Sequence, residues 1–191
     1  MNEAAHFVGI DLGQTTDYTA IAILERSAAE SKPFFDVRHL HRFPLGTPYP
    51  SVVAALRQLL QQPAVHGAHV AVDQTGVGRA VVDMLREGLL GLDCKLLPIT
   101  ITGGRSVKLV PGDGVHVPKR ILVGAVLRLL QSKRLRIART LPAAPVLMRE
   151  LANFRVKITS ARNEIFEAGR GTKDDIVFAT ALGAWTGLKV A

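Results

Sequence analysis

The chain has 191 residues, 48% of them hydrophobic, which suits one globular domain over residues 1–191. No apolar run is long enough to span a membrane, no secretion signal is visible, and the single cysteine excludes an internal disulfide and a cysteine-based zinc cluster. Lys and Arg outnumber Asp and Glu by 24 to 16, and this charge of +8 favours nucleic acid as the partner of a cytoplasmic protein.

The first part of the chain predicts an antiparallel meander, a helix and a further strand. Short polar connections separate three apolar runs of strand length, which makes a meander the simplest topology. These runs cover residues 7–11, 18–25 and 34–43. Ser51 is placed to cap a helix over residues 51–62. The next apolar run, over residues 65–73, predicts the fourth strand and ends in an aspartate, as the first one does.

The second part alternates helices and strands, and it adds a basic hairpin. The predicted helices cover residues 76–87, 118–132, 145–152 and 173–186. The predicted strands cover residues 94–102 and 135–138, the basic hairpin follows Gly104 and turns at 111–114, and a second hairpin pairs 154–159 with 164–168. Three antiparallel strands followed by such an alternation indicate an α/β fold around a sheet of mixed direction.

Two of the predicted strands end in a carboxylate at the same kind of position. Asp11 is followed by Leu-Gly, and Asp73 is followed by Gln-Thr-Gly. Either aspartate alone is explained by turn formation, because Asp and Gly favour turns. Ligands, however, gather at the carboxyl ends of central strands in open α/β sheets. If the first and fourth strands are neighbours, both carboxylates come within reach of one metal ion.

Asp174 and Asp175 open the last predicted helix and have two interpretations. Thr172 and Asp175 fit a capping box, and acids in a first helical turn are favoured by the helix dipole. The rest of the helix is apolar on most faces, however, which is typical of a buried helix. Its start would then bring both carboxylates against the sheet.

Carboxylates gathered in one place repel one another and raise their own pKa values unless cations neutralise them. Two Mg²⁺ or Mn²⁺ ions would do so, since these hard ions prefer carboxylate oxygen. Such a pair would activate a water at one ion and assist departure of the 3′-oxygen of a phosphodiester at the other. The charge pattern therefore favours metal-assisted phosphodiester hydrolysis.

In chain order, GIDLG, DYTAIAI, VAVDQTGVG, ITITGG, VPK and KDDIVFATALGAW resemble the nuclease domain of the large terminase subunit of tailed bacteriophages. That domain has an RNase H-like fold and is related to Holliday-junction resolvases. The resemblance, over residues 8–185, implies a five-stranded central sheet of order 3-2-1-4-5, flanked by helices, with an added β-hairpin. It also implies an endonuclease that cuts double-stranded DNA during packaging in the bacterial host cytoplasm.

By the same resemblance, Asp11, Asp73 and Asp175 would be the catalytic metal-binding acids, with Asp174 a supporting ligand. Family members often carry His before the paired acids, where this chain has Lys173, and the choice between Asp174 and Asp175 stays open for that reason. We expect a structural or supporting role for Asp17.

The family's ATPase motor has no counterpart here, because the sequence contains no GxxxxGK[ST] phosphate loop. The chain is therefore either an excised domain or a free-standing nuclease-like protein. A separate or deleted motor domain and a portal protein are the further partners that the resemblance implies. A linear concatemer, a junction and an RNA hybrid all stay open as the substrate.

Basic residues near the predicted hairpin are candidates for holding DNA. They are Arg105, Lys108, Lys119 and Arg120, and Lys173 beside the paired acids joins them. The alternative for this group is a solvated basic face.

Two other functions compete with a nuclease. VGIDLGQTT resembles the first phosphate loop of sugar kinases and actin-like ATPases, although the chain is too short for their two lobes and adenosine site. A non-catalytic nucleic-acid-binding module of the same fold would explain the basic charge equally well, whereas the full set of acids favours the nuclease.

Overall fold

The computed structural model describes residues 5–13, 15–27, 32–76, 78–158, 164–168 and 173–190, without the side chains of 78, 154–158 and 164–168. Its centre is an eight-stranded mixed sheet of order β6-β7-β5-β4-β1-β2-β3-β8. The strands are β1 (Ala5–Asp11), β2 (Ala20–Arg26), β3 (Phe35–Arg42), β4 (Ala68–Asp73), β5 (Cys94–Thr102), β6 (Lys108–Val110), β7 (Gly114–Pro118) and β8 (Leu135–Ile137). A separate antiparallel pair consists of β9 (Phe154–Ile158) and β10 (Glu164–Ala168).

The predicted order 3-2-1-4-5 is confirmed within this sheet. The basic hairpin β6–β7 extends the same sheet, because β7 pairs in parallel with β5, and β8 adds an edge by pairing in parallel with β3. The sheet therefore has eight strands, three more than the five-stranded central sheet that the resemblance implied.

In the described part of the chain, five helices cover the sheet. They are α1 (Tyr49–Leu60), α2 (Gly78–Gly88), α3 (Lys119–Gln131), α4 (Ala144–Asn153) and α5 (Asp175–Lys189), with a short 3₁₀ turn at Pro63–Val65. The prediction that Ser51 caps the first helix is wrong: α1 begins two residues earlier, after Pro48. Pro50 lies in the first turn, where its missing N–H costs nothing and its fixed φ favours the helix. None of the described helices combines the length and the apolar character needed to cross a bilayer.

The sheet has an apolar core on each face. Alternate residues of β2 divide between the two cores, with Ala22 and Leu24 in one and Ile21 and Ile23 in the other, as the period of a strand requires. The first core contains side chains of α3, α4 and α5, and the second contains those of α1 and α2. The α5 helix is buried from Asp175 to Gly187, which confirms that it is an internal helix, and Trp185 belongs to the core.

Two glycines let α5 approach the central strand closely. A Cβ on Gly9 of β1 would lie 1.8 Å from the carbonyl oxygen of Ala179, and one on Gly183 would lie 2.9 Å from a methyl carbon of Leu24. Side chains at these positions would push the helix away from the sheet. The two glycines therefore hold α5 against β1, the strand that ends in Asp11.

Candidate active site

The first two predicted acids lie at the same edge of the sheet. β1 and β4 are parallel neighbours whose last pair is Ile10 and Val72, and Asp11 and Asp73 are the residues that follow this pair on the two strands. Asp73 is 9% exposed, and its Oδ1 accepts a hydrogen bond of 2.8 Å from the N–H of Thr75. The condition on which the sequence argument depended, adjacency of the first and fourth strands, is met.

The other two acids lie at the start of α5. Asp174 is the N-cap, without a side-chain capping bond, and Asp175 is the first helical residue and 3% exposed. A capping box needs its acid at the third helical position, so the capping-box interpretation is wrong for Asp175; Thr172 lies outside the described residues. The Oδ1 atom of Asp175 accepts a hydrogen bond of 3.2 Å from the N–H of Tyr18, and its buried Oδ2 has no hydrogen-bond partner in the structure.

One cavity of about 300 Å³ brings the four acids together. Residues from β1, the β1–β2 connection, β4, β5, α3 and α5 line it. They are Asp11, Leu12, Asp17, Tyr18, Asp73, Thr75, Ile101, Lys119, Asp174, Asp175 and Phe178. We refer to this space as the carboxylate cavity. Asp17 also reaches it, as expected for a residue near Asp11.

The pKa values of all four acids are raised. Burial raises the pKa of Asp11 well above its ordinary value, and the charges of Asp73 and Asp175, then of Asp174 and Asp17, raise it further. Burial, followed by the charges of Asp174 and Asp17, raises the pKa of Asp175 to about 6. In the carboxylate cavity, the ionised form of Asp11 is therefore disfavoured both by burial and by the charges of the other acids.

Burial also raises the pKa of the two remaining acids, but each has a partner that opposes the shift. The hydrogen bonds from Thr75, and then the charge of Lys119, act to lower the pKa of Asp73. Lys119 likewise lowers the pKa of Asp174, and its Nζ lies 3.9 Å from Asp174 Oδ2.

The donor set of the carboxylate cavity fits a hard divalent cation. All its acidic donors are carboxylate oxygens, which such cations prefer, and the buried Oδ2 of Asp175 lacks a partner. In the described part of the chain, no three His, Cys, Asp or Glu side chains are close enough to enclose one ion. Mg²⁺ is commonly bound by one or two carboxylates, with water and substrate phosphate completing its coordination.

Two of the five predicted DNA-binding residues lie at the acids. Lys119, the first residue of α3, lines the carboxylate cavity, and its Nζ lies 4.4 Å from the centre of the Phe178 ring. Lys173 Nζ forms an ion pair of 2.6 Å with Asp17 Oδ1 and also bonds the carbonyl of Thr16. A cation therefore lies on each side of the Asp174–Asp175 pair.

The other three basic residues lie outside the carboxylate cavity. Lys108 is on the edge strand β6, and Arg120 donates a hydrogen bond of 2.7 Å to the carbonyl of Arg105. All three side chains are exposed. They form a basic surface on the hairpin and at the start of α3.

Sequence reasoning missed three residues that support the acids. Thr75 orients Asp73, and its hydroxyl accepts a 2.7 Å bond from the N–H of Ile101; an Asp two residues before a Thr is a signal for this turn. Tyr18 supports Asp175 through its backbone, which no side-chain pattern reveals. Glu150, buried on α4, accepts a bond of 2.9 Å from the N–H of Val177, and no local signal marks it.

No family model matches the chain, and no curated protein sequence matches it. Among solved structures, it is similar to the large terminase nuclease from thermophilic phage G20c with bound magnesium, at 25% identity and a TM-score of 0.67 over 95% of this chain and 81% of that chain. The nuclease domain of the large terminase subunit gp2 of bacterial virus Sf6 is 12% identical, with a TM-score of 0.67 over 96% and 89% of the two chains.

A human cytomegalovirus terminase nuclease domain, soaked with manganese and with an inhibitor bound, is 13% identical and has a TM-score of 0.58 over 97% of this chain and 84% of that chain. The chain thus has the RNase H-like fold of large-terminase nuclease domains, which confirms both the predicted fold class and the resemblance.

Proposed function

We propose that this protein, which shares the fold of terminase nuclease domains, is a divalent-metal-dependent endonuclease that hydrolyses DNA phosphodiesters in phage-type DNA packaging. One observation carries the proposal: four carboxylates, at the ends of β1 and β4 and at the start of α5, line one cavity, where burial raises the pKa of each and the other acids raise those of Asp11 and Asp175 further. If these acids had only a structural role, nothing would compensate the free-energy cost of burying carboxylates close together.

The cofactor in this proposal is Mg²⁺ or Mn²⁺, as two ions. The G20c nuclease was solved with magnesium and with cobalt, and the cytomegalovirus domain was soaked with manganese. Asp11, Asp73 and Asp175 would hold the metal, with Asp174 in support. When bound, the cations would supply Lewis-acid chemistry, which lowers the pKa of the attacking water and neutralises charge on the scissile phosphate.

The protein's own groups prepare the carboxylates for this task. The backbone N–H groups of Tyr18 and Thr75 each hold one oxygen of a catalytic acid and so fix the direction of the other oxygen. Asp175 must be ionised to bind a cation, and its pKa of about 6 in the metal-free protein means that protons compete with the cation below about pH 6. More metal should therefore be needed for activity as the pH drops through that value.

Cationic side chains around the cavity would orient the DNA backbone. Lys119 and Lys173 are placed to contact the phosphates next to the cut, and Arg105, Lys108 and Arg120 would contact the duplex farther along. Contacts of this kind position a duplex without reading its bases, so cleavage should depend little on sequence. A separate or deleted ATPase motor and a portal protein, acting in the host cytoplasm, complete the proposed setting.

Nicking of supercoiled plasmid in Mg²⁺ and Mn²⁺ tests the proposal, with Asp73→Asn as the inactive variant and Asp83→Asn as its matched control. Asp83 lies on α2 and pairs with Arg86, away from the carboxylate cavity. We expect cleavage by the parent and by Asp83→Asn, and loss of cleavage in Asp73→Asn. DNA binding without cleavage in either metal would indicate a non-catalytic module, and thermal stabilisation by ATP would instead favour the kinase-like alternative.

A further inference from the structure

A second cavity adjoins the carboxylate cavity on the side of β3 and α4. It has a volume of about 280 Å³, and three basic side chains line it, those of Arg42, Arg149 and Lys173, together with Tyr18 and Glu150. Tyr18 lines both cavities: its N–H bonds Asp175, and its ring lies 4.4 Å under the guanidinium of Arg42. We refer to this space as the basic cavity.

Among the described residues, the basic cavity contains one acid, Glu150, which the protein itself already engages. Glu150 is 6% exposed, and its Oε2 accepts the hydrogen bond from the first turn of α5. Its Oε1 lies 3.5 Å from Arg42 Nη1, too long for a strong charge-assisted bond. Arg149 is exposed, and the cation of Lys173 faces Asp17 at the boundary with the carboxylate cavity. The basic cavity thus has an excess of positive charge and hydrogen-bond donors.

The register of the sheet places the two cavities along one edge. Asp11 pairs with Ala20 of β2, and Ala20 pairs with Arg42 of β3. Adjacent strands lie about 4.8 Å apart, so the backbone at Arg42 is about 10 Å from that at Asp11. A DNA strand that passes Asp11 along this edge of the sheet therefore reaches the basic cavity within a few nucleotides.

We propose that the basic cavity binds a backbone phosphate of the DNA strand being cut, a few nucleotides from the scissile phosphate. Arg42 and Arg149 supply the guanidinium donors, which match phosphate geometry, and the packing of Arg42 on the Tyr18 ring keeps its side chain in place. This inference rests on the proposed function for its position relative to the cut, but phosphate binding itself requires no cleavage. The basic cavity lies across the acids from the hairpin of Arg105 and Lys108, so the two basic surfaces would hold DNA on both sides of the cut.

Salt-dependent binding tests the inference without cleavage. The affinity of a blunt duplex is measured in EDTA between 50 and 200 mM salt for the parent, Arg42→Gln and Arg149→Gln, with Arg86→Gln as the control of equal charge change. Arg86 lies on α2, on the opposite face of the sheet. Loss of one phosphate contact lowers the salt slope by about 0.9, so the affinity of each cavity variant should fall about 3.5-fold less than that of the parent over this range. If Arg42→Gln and Arg149→Gln had the same salt slope as Arg86→Gln, the inference would be overturned. That result would not bear on the proposed nuclease activity.

Neutral phosphates then test whether the contact is to the DNA backbone. In a duplex with neutral methylphosphonates throughout one strand, the parent should lose affinity, and Arg149→Gln should lose less because it has already lost one phosphate contact. A loss of equal size in the parent and the variant would overturn the assignment. Duplexes with 5′-phosphate and 5′-hydroxyl ends should bind alike; a preference for the 5′-phosphate that is absent in Arg149→Gln would show that the cavity takes a terminal phosphate instead. The Arg149 side chain is exposed, and Arg149→Gln keeps the buried contacts of Glu150. The test can therefore be made with this variant alone if Arg42→Gln fails to fold.

Discussion

The carboxylate cavity and the basic cavity lie on either side of Tyr18 and have opposite electrostatics. In the carboxylate cavity, the charges of Asp73 and Asp175 raise the pKa of Asp11, and the Oδ2 of Asp175 has no partner among the described residues. In the basic cavity, Glu150 accepts a helix N–H and faces Arg42. Acids therefore predominate in the first cavity and basic side chains in the second. Under our proposals, divalent cations would bind in the first cavity and a DNA phosphate in the second.

The two buried acids also differ in what their neighbours do to them. Burial is the largest cause of the raised pKa for both, which reaches about 6 for Asp175 and about 7 for Glu150. The next effect is repulsion by Asp174 at Asp175, whereas at Glu150 it is the bond from Val177, which lowers the pKa. We expect Asp175 to serve chemistry at a cost to stability, and Glu150 to serve the structure of α5.

The largest expected effect separates the two acids at the start of α5. Asp175→Asn should reduce the rate of plasmid nicking about a thousandfold, because losing a metal ligand removes several kcal/mol of transition-state stabilisation. Asp174→Asn should reduce it about tenfold, since Asp174 is more exposed and already faces Lys119. Initial nicking rates in saturating Mg²⁺ make the comparison, with Asp83→Asn as the control. Equal losses in both variants would contradict the distinction.

Asp175→Asn should also stabilise the metal-free protein. The folded-state pKa of Asp175 lies above its ordinary value, so its contribution to stability is fully present below about pH 4 and is lost as the pH rises through about 6. Asp175→Asn should therefore increase the unfolding free energy by up to about 3 kcal/mol at pH 8 in EDTA and change it little at pH 4. Thermal unfolding at the two pH values measures this. A lower melting temperature for the variant at pH 8 would contradict it, and Mg²⁺ should stabilise the parent more than the variant.

The smallest expected effect concerns Glu150. Glu150→Gln keeps an oxygen that accepts the Val177 N–H, whereas Glu150→Ala leaves that buried donor without a partner. We expect the Ala variant to be about 1–3 kcal/mol less stable than the Gln variant in chemical denaturation. A raised carboxyl pKa destabilises the fold at high pH, so Glu150→Gln should also gain stability relative to the parent between pH 5 and pH 8. Equal stability of the Gln and Ala variants would show that the bond to α5 contributes nothing.

The local pattern of the sequence predicts most elements of this fold. Alternating and 3.6-residue apolar periods locate the strands and helices to within a few residues, and carboxylates at two strand ends identify Asp11 and Asp73 as candidates. The helix starts are less well predicted: α1 begins after Pro48 and not at Ser51, because a proline in the first turn suits a helix start as well as a capping hydroxyl does. The hairpin was predicted, but its pairing with β5 was not, since pairing between distant strands leaves no local signal.

The sequence by itself determined the element order and the internal character of α5, because these follow from the spacing of apolar residues along the chain. Only the tertiary structure decided that α5 lies against Gly9, that Tyr18 and Glu150 support its start, and that Arg42 lies in register with Asp11. Those contacts join residues far apart in the chain, and their energies depend on distance and burial in the folded molecule. The spacing of apolar residues indicates which face of a helix or strand is buried. Which residue contacts that face depends on how the elements pack together.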